Sequence, residues 1–153
     1  MADKRVPAAA LVLSAATLVG IANHEKFMPN AYLPTKNDVP TIGYGETQGV
    51  KMGDKTTPER ALVRLLQSSD QFAQGVKKCA PVPMFQHEFD AYVSFAYNVG
   101  LGNFCNSTLV RKLKEYDYEG ACRELLKWDK QKGVTLPGLT KRRQEEFKQC
   151  MGG

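Results

Sequence analysis

Glu25 is the first carboxylate after an uncharged run that extends from Val6 to His24 and is apolar as far as Ala22. A carboxyl at the end of an apolar helix is partly desolvated, which favours the protonated form that a general acid needs. Acid-catalysed cleavage of a glycosidic bond also requires a second group across the scissile bond, either a carboxylate or a residue that orients water. Asp38 is the only carboxylate between Glu25 and Glu46, and Thr41 offers a hydroxyl. Taken by itself, a lone glutamate at a helix end is most often a solvated surface residue. Other chemistries lack their residues. There is no Gly-x-x-x-x-Gly-Lys, no Gly-x-Ser-x-Gly and no His-Glu-x-x-His, and Gly43-Tyr44-Gly45 lacks the third glycine of a dinucleotide loop. With only His24 and His87, and no Cys-x-x-Cys pair, zinc-ligand spacing is missing, so no metal or cofactor is expected.

The elements that must position these groups fall into a small irregular lobe and a run of helices. Residues 26–55 are rich in Pro, Gly, Asn, Thr and Tyr, and Thr41-Ile42-Gly43-Tyr44-Gly45 reads as strand and turn. Thr57-Pro58-Glu59 starts a helix whose apolar stripe is Leu62, Leu65, Leu66, Phe72 and Val76. A second helix follows Pro83 and ends at Gly100 and Gly102, Ser107 and Asp117 cap two short ones, and Thr140 opens the last. The expected division is an N-terminal apolar helix over 1–24 and a catalytic domain over 25–153, split into a β-lobe (25–56) and a helical lobe (57–153).

With 153 residues, 42% apolar and 24% charged, the chain suits one globular domain and excludes a disordered or collagen-like protein. The segment Val6 to Ala22, preceded by Lys4-Arg5, has the pattern of an export signal or membrane segment. Three readings remain open: a cleaved signal peptide, an ordinary buried helix, and a helix apolar enough to insert yet weak enough to leave the bilayer later. Cys79, Cys105, Cys122 and Cys150 suit two disulfides of unknown connectivity after export, or four buried thiols. The net charge of +5 is concentrated after residue 101, where eleven basic residues stand against seven acidic ones. The run Lys141-Arg142-Arg143 reads either as a surface for an anionic polymer or as a solvated helix face. No nucleic-acid recognition motif accompanies it.

The stretch Glu25…Ala31-Tyr32…Pro40-Thr41-Ile42-Gly43-Tyr44-Gly45 resembles the signature of phage lysozymes, the T-even-type muramidases of glycoside hydrolase family 24. Phe95-Ala96-Tyr97-Asn98-Val99-Gly100, Ser107-Thr108-Leu109, Trp128 and Leu136-Pro137-Gly138-Leu139 continue the likeness in the family's order. With its Lys-Arg-flanked apolar start, the chain is most similar to the signal-anchor-release subtype of phage endolysin. The resemblance implies an α+β, mainly α, lysozyme-like fold with a cleft between a small β-hairpin lobe and a larger helical lobe. It implies hydrolysis of the β-1,4 bond between N-acetylmuramic acid and N-acetylglucosamine in peptidoglycan, host lysis, and inversion at the anomeric carbon.

Glu25 matches the family's acid and Thr41 its threonine, whereas Pro34 stands where the family has Asp or Cys. Asp38, from a slightly longer loop, is the expected replacement, with a turn role as its alternative. Asn98 is expected near the sugar. Tyr32 is read as packing beside the hairpin or touching sugar, and Glu46 as a carboxylate on the substrate rim or a solvent-facing residue. Phe89 and Trp128 are expected in the helical core. The resemblance pairs Cys122 with Cys150, which leaves Cys79 for Cys105. It also implies a monomer tethered to the inner membrane and then soluble in the periplasm. The apolar segment holds no cysteine, so activation by thiol exchange from the anchor is not available. A lytic transglycosylase and a non-catalytic, membrane-tethered wall-binding module are the alternatives.

Overall fold

The computed structural model describes residues 4–153, and the first three residues of the expected 1–24 segment lie outside the described residues. The chain folds into two compact units: Leu18–Asp70, and the residues up to Thr17 together with Gln71–Gly153. The limits of these compact units fall inside two helices, α1 (Ala15–His24) and α2 (Pro58–Cys79).

The smaller unit is organised by a hairpin of β1 (Met28–Tyr32) and β2 (Thr41–Gly43), antiparallel, with Met28 opposite Gly43 and Tyr32 opposite Thr41. Five residues of β1 thus face three of β2, and the ladder is irregular between these pairs. The other edge of β1 is covered by the chain returning towards α2: Ala31 N–H donates to Asp54 O, and Thr56 N–H to Pro29 O, both at 2.9 Å. Ala31, Ile42 and Val50 form the small core. Thr57 Oγ1 accepts from Arg60 N–H at 3.3 Å and Pro58 occupies the first helical position, so α2 starts where capping rules place it. Its buried stripe differs from the expected one: Ala61, Leu65, Ala73 and Val76 are inside, while Leu62 and Leu66 are exposed.

The larger unit is helical. Around α3 (Gln86–Val99) stand α4 (Leu101–Cys105), α5 (Thr108–Lys114), α6 (Tyr118–Glu124) and α7 (Pro137–Cys150), with a two-residue pair of strands, β3 (Lys130–Gln131) and β4 (Val134–Thr135), before the last helix. Ser107 caps α5 by accepting from Val110 N–H at 3.2 Å, and Asp117 caps α6 by accepting from Gly120 N–H at 3.0 Å. Pro137, not Thr140, begins α7, because proline is pre-set for the first helical position. Phe89, Tyr92, Phe95, Phe104, Leu109 and Leu125 are fully buried, each stabilising the fold by roughly 1.5–3 kcal/mol. Trp128 is only partly buried and meets Phe95 edge-on at 5.4 Å. Disulfides join Cys79 to Cys105 and Cys122 to Cys150.

The apolar N-terminal stretch is not one helix. Val6 bridges Met84 through two backbone hydrogen bonds, Ala8–Ala10 form a 3-10 turn, and Leu11 enters the core of the larger unit at 0% exposure. Pro7 holds the entry to that turn at φ −54°, and Ser14 starts the ten-residue α1 by accepting from Thr17 N–H at 3.2 Å. Among the described residues no helix is long and apolar enough to cross a membrane.

Candidate active site

Glu25 is the first residue beyond α1 and is half-buried. Its N–H is shared between Ile21 O and Ala22 O, both at 3.2 Å, and Ile21 anchors the helix at 1% exposure. Two residues later the Phe27 ring meets Tyr44 at 5.4 Å, tying this segment to the turn that follows β2. Glu25 therefore enters the hairpin at its Met28–Gly43 end.

Thr41 begins β2, is 8% exposed, and donates from Oγ1 to Val39 O at 3.2 Å. Because the β1 irregularity leaves only two residue steps of β2 between the paired ends, Thr41 lies about 7 Å along the strand from Gly43. Asp38 lies beyond Thr41, in the exposed connection from β1 to β2. Its carboxylate accepts from Thr35 Oγ1 at 2.9 Å and its N–H donates to Thr35 O at 3.1 Å, a local turn. Pro34 sits exposed in the same connection. Tyr32, opposite Thr41, is half-buried.

Gly43 shows why the hairpin needs glycine. Its φ is +65°, and a Cβ there would stand 3.0 Å from the Cβ of Ala61 on α2. The following turn closes by reciprocal backbone bonds between Ile42 and Glu46, both at 2.9 Å. Glu46 does not face solvent. It is 7% exposed, and its carboxylate accepts from Ser68 Oγ of α2 at 2.5 Å, so this buried acid holds the turn to the helix.

The larger unit carries Asn98, exposed near the end of α3, on a cavity of about 320 Å³ also lined by Asn103, Trp128, Lys130 and Gln131. Beneath it, Arg142 and Arg143 are neither a solvated face nor a polymer-binding run, being 6% and 0% exposed. The physical reason is the spacing to Glu146: Arg142 Nε is 3.3 Å from its Oε1 and Arg143 Nε 3.1 Å from its Oε2. Ser94 Oγ donates to the same carboxylate at 3.0 Å. Burial pushes the Glu146 carboxyl above its ordinary pKa and the Arg143 guanidinium below its own, while each partner's charge opposes the shift. Sequence reasoning missed this network, although a Glu three and four residues after paired arginines is a helix-face signal.

A helix-end glutamate leading into a short hairpin, in a chain whose other unit is helical, is the arrangement of a lysozyme-type glycoside hydrolase. The phage lysozyme family profile matches residues 22–146, and the chain belongs to that family. An endolysin of Acyrthosiphon pisum secondary endosymbiont phage 1 is 40% identical over 110 residues, covering 69% of this chain and 75% of that protein. A SAR-endolysin of Pseudomonas phage phiKMV is 36% identical over 143 residues, covering 90% and 87%. The solved endolysin of Escherichia coli O157:H7 phage FAHEc1 superposes with a TM-score of 0.80 at 34% identity, covering 93% of this chain and 94% of that one. The protein is a muramidase that hydrolyses peptidoglycan.

Proposed function

We propose that Glu25 is the general acid that protonates the glycosidic oxygen between N-acetylmuramic acid and N-acetylglucosamine, and that Thr41 and Asp38 orient the attacking water. The observation that carries this reading is the half-buried Glu25 at the junction of α1 and the hairpin whose second strand begins with Thr41. Water attack on the face opposite the leaving group inverts the anomeric carbon and leaves a reducing muramic end. Asn98 contacts the saccharide, Tyr32 supports the hairpin beside Thr41, and Glu46 holds the turn that carries it. Zymography of Glu25→Gln, Thr41→Ala and Asp38→Asn tests the assignment. Glu25→Gln clears no peptidoglycan, and each of the other two loses about 10²-fold or more if it positions the water. An Asp38→Asn enzyme of parental activity would remove Asp38 and leave Thr41 alone in that role.

We also infer that the enzyme acts as a monomer and that its N-terminal segment holds it at the inner membrane before release into the periplasm. This reading is supported by where the segment lies in the folded protein. Leu11 and Ile21, at 0% and 1% exposure, fill core positions that they cannot occupy while the same residues sit in a bilayer. Arg5 closes the segment down through hydrogen bonds to Glu88 of 2.9 and 3.0 Å, with its guanidinium 4.4 Å from the Phe85 ring and 3.6 Å from that of Tyr118. Membrane and fold therefore compete for one set of side chains.

A further inference from the structure

We propose that Arg143 is a positioning residue that fixes the Asn98 side-chain amide with its NH2 group directed outward, so that the protein presents a hydrogen-bond donor, and no acceptor, to the saccharide at this point. The inference rests on the reading of Asn98 as a saccharide contact. Arg143 is fully buried, and its Nη2 donates to Asn98 Oδ1 at 2.5 Å. A guanidinium has donors only, so Asn98 must turn its oxygen inward. The usual ambiguity between the two ends of an amide is removed here by chemistry.

The guanidinium cannot swing away. Glu146 lies 3.1 Å from its Nε, and the Phe95 ring centroid 4.9 Å from its central carbon. Glu146 is fixed in turn by Ser94 and Arg142. Asn98 is exposed and lines the cavity beside Trp128, so the ordered amide is available to a ligand. The group it fits is an acceptor such as the carbonyl oxygen of an acetamido substituent or a sugar hydroxyl. A carboxylate at position 98 would keep the partner of Arg143 yet present only acceptor oxygens outward.

The test measures kcat and KM on soluble uncrosslinked glycan strands for Asn98→Ala, Asn98→Asp, Arg143→Lys and the Asn98→Ala/Arg143→Lys double variant, with unfolding temperatures alongside. Losing one such hydrogen bond raises KM about 5-fold with little change in kcat. Asn98→Ala and Arg143→Lys each show that rise, and the double variant is no worse than Asn98→Ala, because the lysine acts only through the amide. Asn98→Asp raises KM at least as much as Asn98→Ala while unfolding no earlier than the parent, a split that a structural role would not produce. It also tests the donor orientation without disturbing the buried arginine. An unchanged KM in Arg143→Lys or Asn98→Asp, or a second multiplicative rise in the double variant, overturns the proposal while leaving Asn98 as a contact. An unchanged KM in Asn98→Ala overturns the saccharide-contact reading itself.

Discussion

Glu88→Gln tests the competition between membrane and fold without touching the N-terminal segment. Glu88 is 2% exposed and accepts three hydrogen bonds, two from Arg5 and one from Phe85 N–H at 2.8 Å. A glutamine has the same shape but no charge, and whichever way its amide turns, one NH2 group faces a donor. Hydrogen bonds to charged groups stabilise by about 1.5–3 kcal/mol, and the half-exposed Arg5 recovers part of this by hydration, so a net loss of about 2 kcal/mol is expected. For a chain of this length that lowers the unfolding temperature by about 4–8 °C. Arg5 remains as the positive flank of the apolar segment, so its hold on the membrane is unchanged. The same 2 kcal/mol shifts the balance between membrane-held and released enzyme about 30-fold towards the membrane. Circular dichroism melting of purified soluble protein, and the ratio of protein in membrane and periplasmic fractions, read the two effects. A variant that melts within 1 °C of the parent refutes the energetic argument. One that melts early but partitions as the parent does refutes the competition.

Gly43→Ala must place a Cβ against Ala61 at positive φ, so it costs about 1–2 kcal/mol or more in thermal stability and lowers activity through Thr41; a melting temperature equal to the parent's contradicts that account. Stepwise reduction under native conditions, followed by mass mapping, should open Cys79–Cys105 before Cys122–Cys150, because Cys122 and Cys150 are each 1% exposed while the other pair is partly exposed. Once opened, each bridge forfeits about 3.5 kcal/mol of loop-closure entropy for its separation of 26 or 28 residues. Glu124 is held below the usual carboxylate range, chiefly by its hydrogen bond from Lys127 and also by Lys112. A depressed folded-state pKa stabilises above the unfolded value and ceases to do so as pH falls through the folded one. Glu124→Gln should therefore melt earlier than the parent at pH 7, by ~1 kcal/mol or less given the exposure of Lys127, and the gap should close below about pH 4. A gap that persists in acid refutes the electrostatic origin.

The capping residues Thr57, Ser107 and Asp117 were legible because capping is a local event, decided within one helical turn. Gly43 was visible as turn punctuation, but its approach to Ala61 depends on a contact between distant segments. The break in the apolar stretch was not legible, because hydropathy alone does not show that the folded protein interrupts it at Pro7 and recaps it at Ser14. Arg142, Arg143 and Glu46 misled because charge suggests solvent, and only the partners Glu146, Asn98 and Ser68 make their burial possible. Asp38 fitted both a turn and a catalytic role in the sequence, and its bonds to Thr35 belong to the turn.

Whether Glu25 initiates hydrolysis is decided by mass spectrometry of the muropeptides that the parent and Glu25→Gln release from purified peptidoglycan. The parent should release products ending in reducing N-acetylmuramic acid, and a folded Glu25→Gln should release none. Anhydromuramic ends from the parent, or reducing ends at the parental rate from Glu25→Gln, would contradict hydrolysis initiated by Glu25.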